Sequence, residues 1–385
     1  MKKTLILLMF LHIMQITCAK AFSQDDFLKQ NPVLEKLLYY GTLAPSSHNA
    51  QMWKVRILSD NEFLIILDKE RNLNYIDPDS RESLISIGAF LANIIRGSEI
   101  LGLNLQYNIC NETAPDDSVV YVSFSGTETE SFSNSVQKFE NLLLKRKTSK
   151  EKFSKKKIPV PEINKIIAGY EDSVIYFPKN SPSYQYIREN TMKAYETQGQ
   201  NQDKRNELSE WFRFSDKETE AKKDGFNAEM LGMGLLKKFF YYKFYNREKV
   251  RNIKFLNEEL KLIKTQTDTA DGFLLVIAKD NSVKENIRAG IILENIWLNA
   301  ADADIKIQPL SQILEEEPYK NNISNDLSIN GEVKMILRTG YSANNKIVKK
   351  VRRNIKDILD NTEIPNTRRK NNEKNTAYTV SCIRK

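Results

Sequence analysis

Cysteine and histidine are scarce in this chain of 385 residues, which holds three cysteines and two histidines. Cys18 and His12 lie in the apolar N-terminal segment, so a chain processed there would keep two cysteines and His48. These are too few for a disulfide framework or a zinc site built from cysteine and histidine. A Ser-His-Asp triad would depend on His48, whose neighbour Ser47 is too close in sequence to present its hydroxyl reliably to the ring. We therefore expect no metal site and name no catalytic side chain.

A strong excess of one charge is also absent from most of the chain, although the formal net charge is +8. The surplus lies at the two ends: residues 1–21 hold three lysines and no acid, and residues 349–385 hold 11 basic and 4 acidic residues. The residues between them are close to neutral. A protein that binds nucleic acid along its surface would carry a basic stripe there. We therefore expect no nucleic-acid partner.

Long apolar runs are confined to the N-terminus. Two lysines precede an apolar run from Leu5 to Ile16, and Ala19 and Ala21 supply small residues after it. This order is typical of a secretory signal peptide, so residues 1–21 are predicted to direct export by the Sec route to the periplasm or the outside of the cell. Lipidation at Cys18 is the rival interpretation, but the residues before that cysteine fit a lipobox poorly. No other segment is long and apolar enough to predict a transmembrane helix.

Two segments of similar sequence lie 202 residues apart, Ser86–Gln106 and Arg288–Gln308. Aligned without a gap, they share identical residues at five positions, and Gly88 meets Gly290 at one of them. In both, apolar residues recur at helical spacing and a short alternation follows, so each predicts a buried helix that leads into a strand. Chance similarity between two amphipathic helices is the alternative. The shared switch from helix to strand favours duplication.

Further apolar runs predict an α+β architecture in which each sheet packs against helices. Strands are predicted at Val55–Leu58, Phe63–Leu67, Val119–Phe124, Val174–Phe177, Phe273–Ala278 and Val333–Leu337. Helices are predicted at Phe27–Leu43, Ser133–Leu144, Pro161–Ala168 and Ser183–Tyr195. The composition and length are those of a chain with about two to three folding units.

These patterns divide the chain into a first half, residues 22–144, and a second half, residues 145–345. Residues 199–265 have no counterpart in the first half. This insert is polar and then rich in methionine and aromatic residues, which suits a lid over a site and suits an ordinary helical decoration equally well. Residues 346–385 form a basic C-terminal tail whose role the sequence leaves open.

The residues that carry chemistry begin in the segment Ala44–Trp53, which reads APSSHNAQMW. Its proline fixes the backbone, and its serines and asparagine offer neutral hydrogen-bonding groups. Taken alone, the segment is typical of a turn with a helix cap. It resembles the APSSHNxQPW motif of the nitroreductase superfamily, in particular its two-halved branch called the Acg family. Met52 stands where that family usually has proline.

Other segments resemble motifs of the same family and follow in the same order along the chain. In the segment that resembles the R-x-[ST]-x-R motif, Lys150 replaces the last arginine. The matching segments are Asp68–Leu73, Asp77–Glu82, Arg146–Phe153, Glu207 with Trp211, Arg213 and Asp224-Gly225, and Leu337–Tyr341. The resemblance therefore extends from about Leu34 to Tyr341, which is nearly the whole chain after the predicted signal peptide.

The resemblance implies a nitroreductase-like fold whose tandem halves form an intramolecular pseudo-dimer around FMN. The implied FMN ligands are Pro45, Ser46, Ser47 and Asn49 of the first half, and Arg146, Thr148, Lys150 and Arg338 of the second. Since each half carries only one of the two motifs, one of the two related sites is expected to survive. Without the resemblance, the basic run from Lys145 to Lys157 would favour a solvated linker.

The resemblance also implies what the protein does. The flavin carries out hydride and electron transfer, so no protein acid or nucleophile is required. The implied function is that of an exported FMN-binding oxidoreductase that passes electrons to a small acceptor such as a nitroaromatic or quinone, with NAD(P)H as a candidate reductant. A flavin-sequestering or storage protein of the same fold, without turnover, is the alternative. A fold that has lost its flavin is a third. Pairing between chains stays open.

Overall fold

The computed structural model describes residues 24–110, 117–126, 133–343 and 349–360. The predicted signal peptide, residues 1–21, lies outside the described residues, as does the end of the basic tail. Among the described residues, eight strands form two four-stranded antiparallel sheets. The strands are β1 (Trp53–Ser59), β2 (Glu62–Leu67), β3 (Asn104–Ile109), β4 (Ser118–Ser125), β5 (Val174–Pro178), β6 (Gly272–Ala278), β7 (Lys306–Pro309) and β8 (Glu332–Gly340).

The two sheets have the same order of strands. The first has the order β1-β2-β4-β3 and the second has the order β5-β6-β8-β7. The six predicted strands are confirmed with shifts of a few residues at their ends, and β3 and β7 are the strands predicted to follow the two similar helical segments. The α+β class is therefore confirmed by the secondary structure itself.

Helices cover and connect the sheets. The helices are α1 (Gln24–Gln30), α2 (Pro32–Thr42), α3 (Arg81–Ile100), α4 (Ser133–Lys145), α5 (Val160–Ile167), α6 (Pro182–Gln200), α7 (Gln202–Glu210), α8 (Asp216–Lys222), α9 (Leu235–Phe244), α10 (Arg247–Arg251), α11 (Ile253–Asp268), α12 (Val283–Asp302), α13 (Tyr319–Asp326) and α14 (Ile355–Ile358). The predicted helix Phe27–Leu43 is divided at Pro32, because proline lacks the backbone N–H that would continue a helix.

Helices α3 and α12 cross each other at the centre of the molecule, and the crossing is set by two glycines. A Cβ atom placed on Gly88 would lie 2.0 Å from the carbonyl oxygen of Ile287. A Cβ atom on Gly290 would lie 2.0 Å from the carbonyl oxygen of Ile85. The two contacts are related by the same 202-residue offset that relates the two sequences. Only glycine allows the backbones to approach this closely.

The helical region between β5 and β6 is longer than the insert predicted at 199–265. It runs from Pro182 to Asp268 and consists of α6 to α11. The corresponding strands of the first half, β1 and β2, are joined by a short turn at residues 60–61. The sequence did not reveal that the insert begins at α6, because α6 has the pattern of an ordinary helix and nothing in that pattern marks it as part of an insert.

The predicted tail from residue 346 begins instead with a structured segment. Residues 349–360 lie against the first half, where Ile358 and Leu359 are buried in its core. Leu359 forms a parallel bridge with Val55, and the Asp360 amide donates a hydrogen bond of 2.7 Å to the Val55 carbonyl. Two apolar side chains, Ile358 and Leu359, thus attach a segment that is otherwise rich in basic residues to the core. The prediction of a tail is thus wrong for residues 349–360.

Two other features bear on the sequence predictions. Arg81–Ile100 is long and apolar enough to cross a membrane by length and composition, although we expected no such segment after the N-terminus. It is the core helix α3, and 78% of its apolar window is buried inside the protein. Cys110 is disulfide-bonded. One bridge is consistent with the lack of cysteines for a larger framework.

Candidate functional site

A cavity of about 540 Å³ lies between the two halves and the helical insert. Its volume falls in the range of sites that hold small organic ligands, about 300–1,000 Å³. The first half contributes Pro45, Ser46, Ser47, His48 and Glu82 to its wall, and the second half contributes Thr148, Lys150, Gln308 and Glu315. The insert contributes aromatic side chains, which include Tyr195, Phe212, Phe226, Tyr241 and Phe255.

The loop that follows α2 has an unusual backbone. His48, Asn49 and Gln51 have φ values of 50°, 53° and 57°, in the left-handed region that side chains other than glycine seldom adopt. The Ser46 hydroxyl accepts a hydrogen bond of 2.9 Å from the Gln51 amide and helps to hold this path. Strained residues of this kind collect at ligand sites, where surrounding contacts enforce them. The strain presents residues 45–48 to the cavity.

A pair of carboxyl groups lies beside this loop. The Ser47 hydroxyl donates a hydrogen bond of 2.5 Å to Glu82, whose other oxygen accepts from Arg81 at 2.8 Å. Burial opposes ionisation of Glu82, but the charge of Arg81 and the hydrogen bonds from Glu315 and Ser47 together outweigh it and lower the pKa of that carboxyl. Burial and then Glu82 raise the pKa of Glu315 well above its usual range. The arrangement therefore favours the ionised form of Glu82 and the neutral form of Glu315.

Two further groups in the wall have shifted pKa values. Burial lowers the pKa of His48 to about 4, so its imidazole is neutral and stands edge-on to Phe226, with ring centres 5.3 Å apart. Burial lowers the pKa of Lys150 to about 8, and its ammonium lies 4.5 Å from the centre of the Phe226 ring. Lys150 is thus a cation in the cavity wall, as is Lys237 of the insert.

Arg338, one of the predicted ligands, does not line the cavity. Its buried guanidinium donates to Gln308 Oε1 at 2.6 Å and to the Gln266 carbonyl at 2.9 Å. It also donates to the carbonyls of Ser149 and Glu151 at 2.8 and 2.7 Å. These bonds fix the segment that carries Thr148 and Lys150, so Arg338 positions this part of the wall.

Arg146 also lies outside the cavity wall, in a group of cations beneath the loop. Its Nε lies 3.0 Å from Glu294 Oε1, and its Nη2 donates to the Leu43 carbonyl at 2.9 Å. Lys350 and Arg352 donate to the same carbonyl at 3.2 and 3.4 Å. Three cations therefore meet at one carbonyl, and one of them, Arg146, pairs with the Glu294 carboxylate. Burial and then Arg146 lower the pKa of Lys350 well below its usual range and that of Arg352 to about 9.

Asn49, the fourth predicted residue of the loop, is buried behind it. Its side-chain amide donates to the carbonyls of Gly225 and Val351 at 3.2 and 3.3 Å, and its oxygen accepts from Arg352 at 2.8 Å. It therefore links the loop to the insert and to the C-terminal segment. The structure brings Pro45, Ser46, Ser47, Thr148 and Lys150 to the cavity, and places Asn49, Arg146 and Arg338 behind its wall.

The motif residues of the insert attach it to the first half. The Glu207 carboxylate accepts from the backbone amides of Tyr75 and Ile76 at 3.1 and 3.0 Å. Asp224 pairs with both Arg71 and Arg213, and the Arg71 guanidinium lies 5.5 Å from the centre of the Trp211 ring. These contacts hold the aromatic side of the insert over the cavity.

The sequence reasoning missed several residues of the site. Glu259 and Glu315 looked like two of many surface acids, and only the folded chain shows them at the cavity. Lys350 and Arg352 were assigned to a solvated tail. The available signal was the apolar spacing of Ile355, Ile358 and Leu359 just after those cations, which is short but regular.

Comparison with known proteins returned likenesses only among solved structures. No family model matches the sequence, and no curated protein matches it. The FMN-dependent nitroreductase NfnB from Mycobacterium smegmatis, solved with NADPH, has a TM-score of 0.36 and 14% identity over 56% of this chain and 92% of its own. A nitroreductase with bound FMN from Bacteroides fragilis has a TM-score of 0.30 and 13% identity over 55% of this chain and 91% of its own.

A third similar structure is the FMN and NADPH-dependent nitroreductase NfnB from sphigopyxis sp.. Its TM-score is 0.38 and its identity 10%, over 58% of this chain and 98% of its own. At TM-scores this low, the likenesses do not assign a function, and the geometry of the cavity must carry any functional conclusion.

Proposed function

We propose that this chain is an FMN-binding oxidoreductase of the nitroreductase type, which passes electrons to a small acceptor such as a nitroaromatic or a quinone. The observation that carries the proposal is the meeting of two distant segments at one cavity. Pro45, Ser46 and Ser47 of the first half face the same space as Thr148 and Lys150 of the second. The sequence resemblance implies that the loop at residues 45–49 and the segment Arg146–Lys150 meet around FMN.

The residues present fit such a flavin. Aromatic side chains of the insert offer flat apolar walls, and the loop hydroxyls offer polar groups near a ring, where they tune its electronics. The group formed by Arg146, Lys350, Arg352 and Glu294 has an excess of positive charge close behind the loop. This positive charge adds to that of Lys150 and favours an anion such as a phosphate in the cavity. FMN supplies the hydride chemistry when bound.

We also propose that the tandem halves form a pseudo-dimer in which one site is kept. Equal strand order in the two sheets and the reciprocal contacts of Gly88 and Gly290 support this arrangement. In the first half, ten residues, 43–52, connect α2 to β1 and form the cavity loop. In the second, the shorter connection from α5 to β5 at residues 168–173 folds into a tight turn. The second half thus offers no equivalent loop.

Export is part of the proposal. The basic, apolar and small-residue order of residues 1–21 predicts a Sec signal peptide. The disulfide bond of Cys110 supports an oxidising compartment, because thiols are kept reduced in the cytoplasm. The electron donor and acceptor would then have to be available outside the cytoplasm.

The first test is whether the purified protein carries flavin and whether Lys150 recognises its phosphate. We expect a flavin absorption spectrum, and we expect Lys150→Met to weaken FMN binding by about 2 kcal/mol, as for a lost hydrogen bond to a charged group. Riboflavin, which lacks the phosphate, should bind both proteins equally. Lys147→Met is the matched control, because Lys147 lies three residues before Lys150 and outside the cavity wall. If Lys150→Met loses the same affinity for FMN as for riboflavin, Lys150 does not bind the phosphate.

A storage protein remains the second candidate, because the insert covers the cavity with aromatic side chains. The two functions differ in turnover. Bleaching of the bound flavin by NAD(P)H and its reoxidation by a nitro compound support the oxidoreductase. Tightly bound flavin that neither reagent changes supports storage, and a colourless protein that binds no added FMN refutes both.

A further inference from the structure

Helix α9 carries a concentration of exposed apolar side chains. Leu235 is 89% exposed, Leu236 71%, Phe239 57%, Phe240 48% and Phe244 47%. At helical spacing these five lie on one side of α9, since they recur at intervals of one, three and four residues. Single exposed apolar residues are ordinary, but a contiguous group of this kind marks an interaction surface.

The opposite side of α9 holds the helix firmly in place. Tyr241 is buried in a small apolar cluster with Phe212 and Val250. Lys238 forms ion pairs of 2.7 Å with Asp216 and 2.6 Å with Glu229. The apolar side therefore faces outward as a fixed surface rather than as a frayed end.

The surroundings of this surface are strongly basic. Residues 235–254 contain seven lysines and arginines and one acid. Arg247 and Arg251 pair with acids of the insert. Lys237, Lys243 and Lys254 form no ion pair within the part of the chain that the structure describes, and Lys243 lies among the exposed phenylalanines, 5.7 Å from the ring centre of Phe239.

We propose that α9 docks this protein on an anionic lipid bilayer. Apolar and aromatic side chains on one face with lysines among and beside them are the composition of a helix that lies in a membrane interface. The unpaired lysines complement anionic headgroups, and their long stems allow the charges to reach headgroup level while the rings enter the lipid. A second copy of this chain would bring the same unpaired lysines together, so charge favours the bilayer.

Docking in this orientation brings the cavity close to the membrane. Phe240 and Lys237 belong both to α9 and to the cavity wall, and the wall also includes Leu262, whose side chain is exposed. A lipid-soluble molecule could therefore pass between the bilayer and the cavity without crossing water. This consequence does not depend on which ligand the cavity holds.

Vesicle binding by the full chain tests the proposal. We expect vesicles of phosphatidylglycerol mixed with phosphatidylcholine to bind the protein about tenfold more tightly than phosphatidylcholine alone. The double variant Leu235→Ser/Phe239→Ser, whose changed side chains are exposed and lie outside the cavity wall, should lose about tenfold or more in affinity. Val160→Ser removes an apolar side chain that is 68% exposed on α5, and should bind like the wild type.

Hydrogen exchange locates the contact. Slower exchange of the α9 amides on addition of the mixed vesicles supports the proposal, and circular dichroism of the double variant confirms that it is folded. Equal vesicle affinity for the wild type and the double variant, or slower exchange only outside residues 231–254, overturns it. Self-association in sedimentation that the double variant abolishes would assign the surface to a second copy and would also overturn it.

Discussion

Lys150 and Glu259 lie in the same cavity wall, and burial shifts the pKa of each toward neutrality. Burial lowers the pKa of Lys150 to about 8, and Glu259 opposes that shift. Burial raises the pKa of Glu259 to about 7, against a hydrogen bond from Tyr195 and the charge of Lys150. The cavity thus changes its charge close to physiological pH, which is characteristic of sites that bind charged ligands.

The raised pKa of Glu259 makes the stability of the fold depend on pH. Since the folded state favours the neutral carboxyl, this contribution is complete below the unfolded pKa of about 4.5 and is lost as the pH rises through about 7. Glu259→Gln keeps an acceptor for Tyr195 and removes the ionisation. We expect the variant to gain about 1–2 kcal/mol over the wild type at pH 8, allowing for partial solvent screening.

Denaturant unfolding at pH 5 and pH 8 measures this difference. Near pH 5 the two proteins should differ by much less, because the wild-type carboxyl is then largely neutral in the folded state. Glu220→Gln, at an exposed position of α8 outside the cavity wall, is the control and should unfold with the same free energy as the wild type. A gain equal at both pH values would show that Glu259 stays ionised in the fold.

The site shows at single residues what the sequence can predict. The serines of the loop and the pair Thr148 and Lys150 were predicted and face the cavity. Arg146 and Arg338 were predicted with them, but a sequence does not reveal the buried acceptors that occupy these guanidiniums. Glu294, which pairs with Arg146, lies 148 positions along the chain from it and resembles any helical acid. The sequence therefore predicted which types of residue collect around the cavity, but not which of their side chains face it.

At the scale of elements, the crossing of α3 and α12 depends on the absence of a side chain at two positions. Gly88→Ala would place a methyl group against the Ile287 backbone, which cannot rotate away as a side chain could. We expect a loss of about 2 kcal/mol or more in the free energy of unfolding, within the range for overpacking in a core.

Denaturant titration compares this variant with Gly234→Ala. At Gly234 no heavy atom lies within 4 Å of the added Cβ, so a change of less than about 1 kcal/mol is expected from its place at the start of α9. If Gly88→Ala is as stable as this control, the two helices do not meet at the distance described above.

The segment that contains α14 provides the next prediction. Ile358 is fully buried in the first half, so Ile358→Ala should cost about 2–4 kcal/mol through lost burial and the cavity left behind. Lys356→Ala, on the exposed side of the same short helix, should change stability by less than about 0.5 kcal/mol. Thermal and denaturant unfolding measure both. Equal effects of the two substitutions would mean that the segment is not part of the core.

Element prediction succeeded where apolar periodicity was regular and failed where it was short. The strands and the two central helices follow from patterns of two or 3.6 residues that burial enforces. Residues 349–360 hold only a few apolar side chains among lysines and arginines, so composition pointed to a solvated tail. Their burial depends on a gap beside Val55 that only the assembled sheet provides.

For the whole molecule, the two unequal halves predict one flavin per chain. Within the described residues, the loop at residues 45–48 meets the segment at residues 148–150 at one cavity, and a short turn at residues 168–173 joins α5 to β5 in the second half. Release of flavin by denaturation, compared with the protein concentration, should approach a ratio of one. Two flavins per chain would contradict the proposal that one site is kept.

The bridge between Val55 and Leu359 joins residues 304 positions apart and therefore constrains the order in which the protein matures. The first half is synthesised early, and β1 pairs with β2 within it, but the outer edge of β1 lacks its partner until residues 349–360 have been synthesised. Contacts of such high sequence separation form late and slow the completion of folding. The sheet of the first half is therefore completed along its β1 edge only after the whole second half has been synthesised.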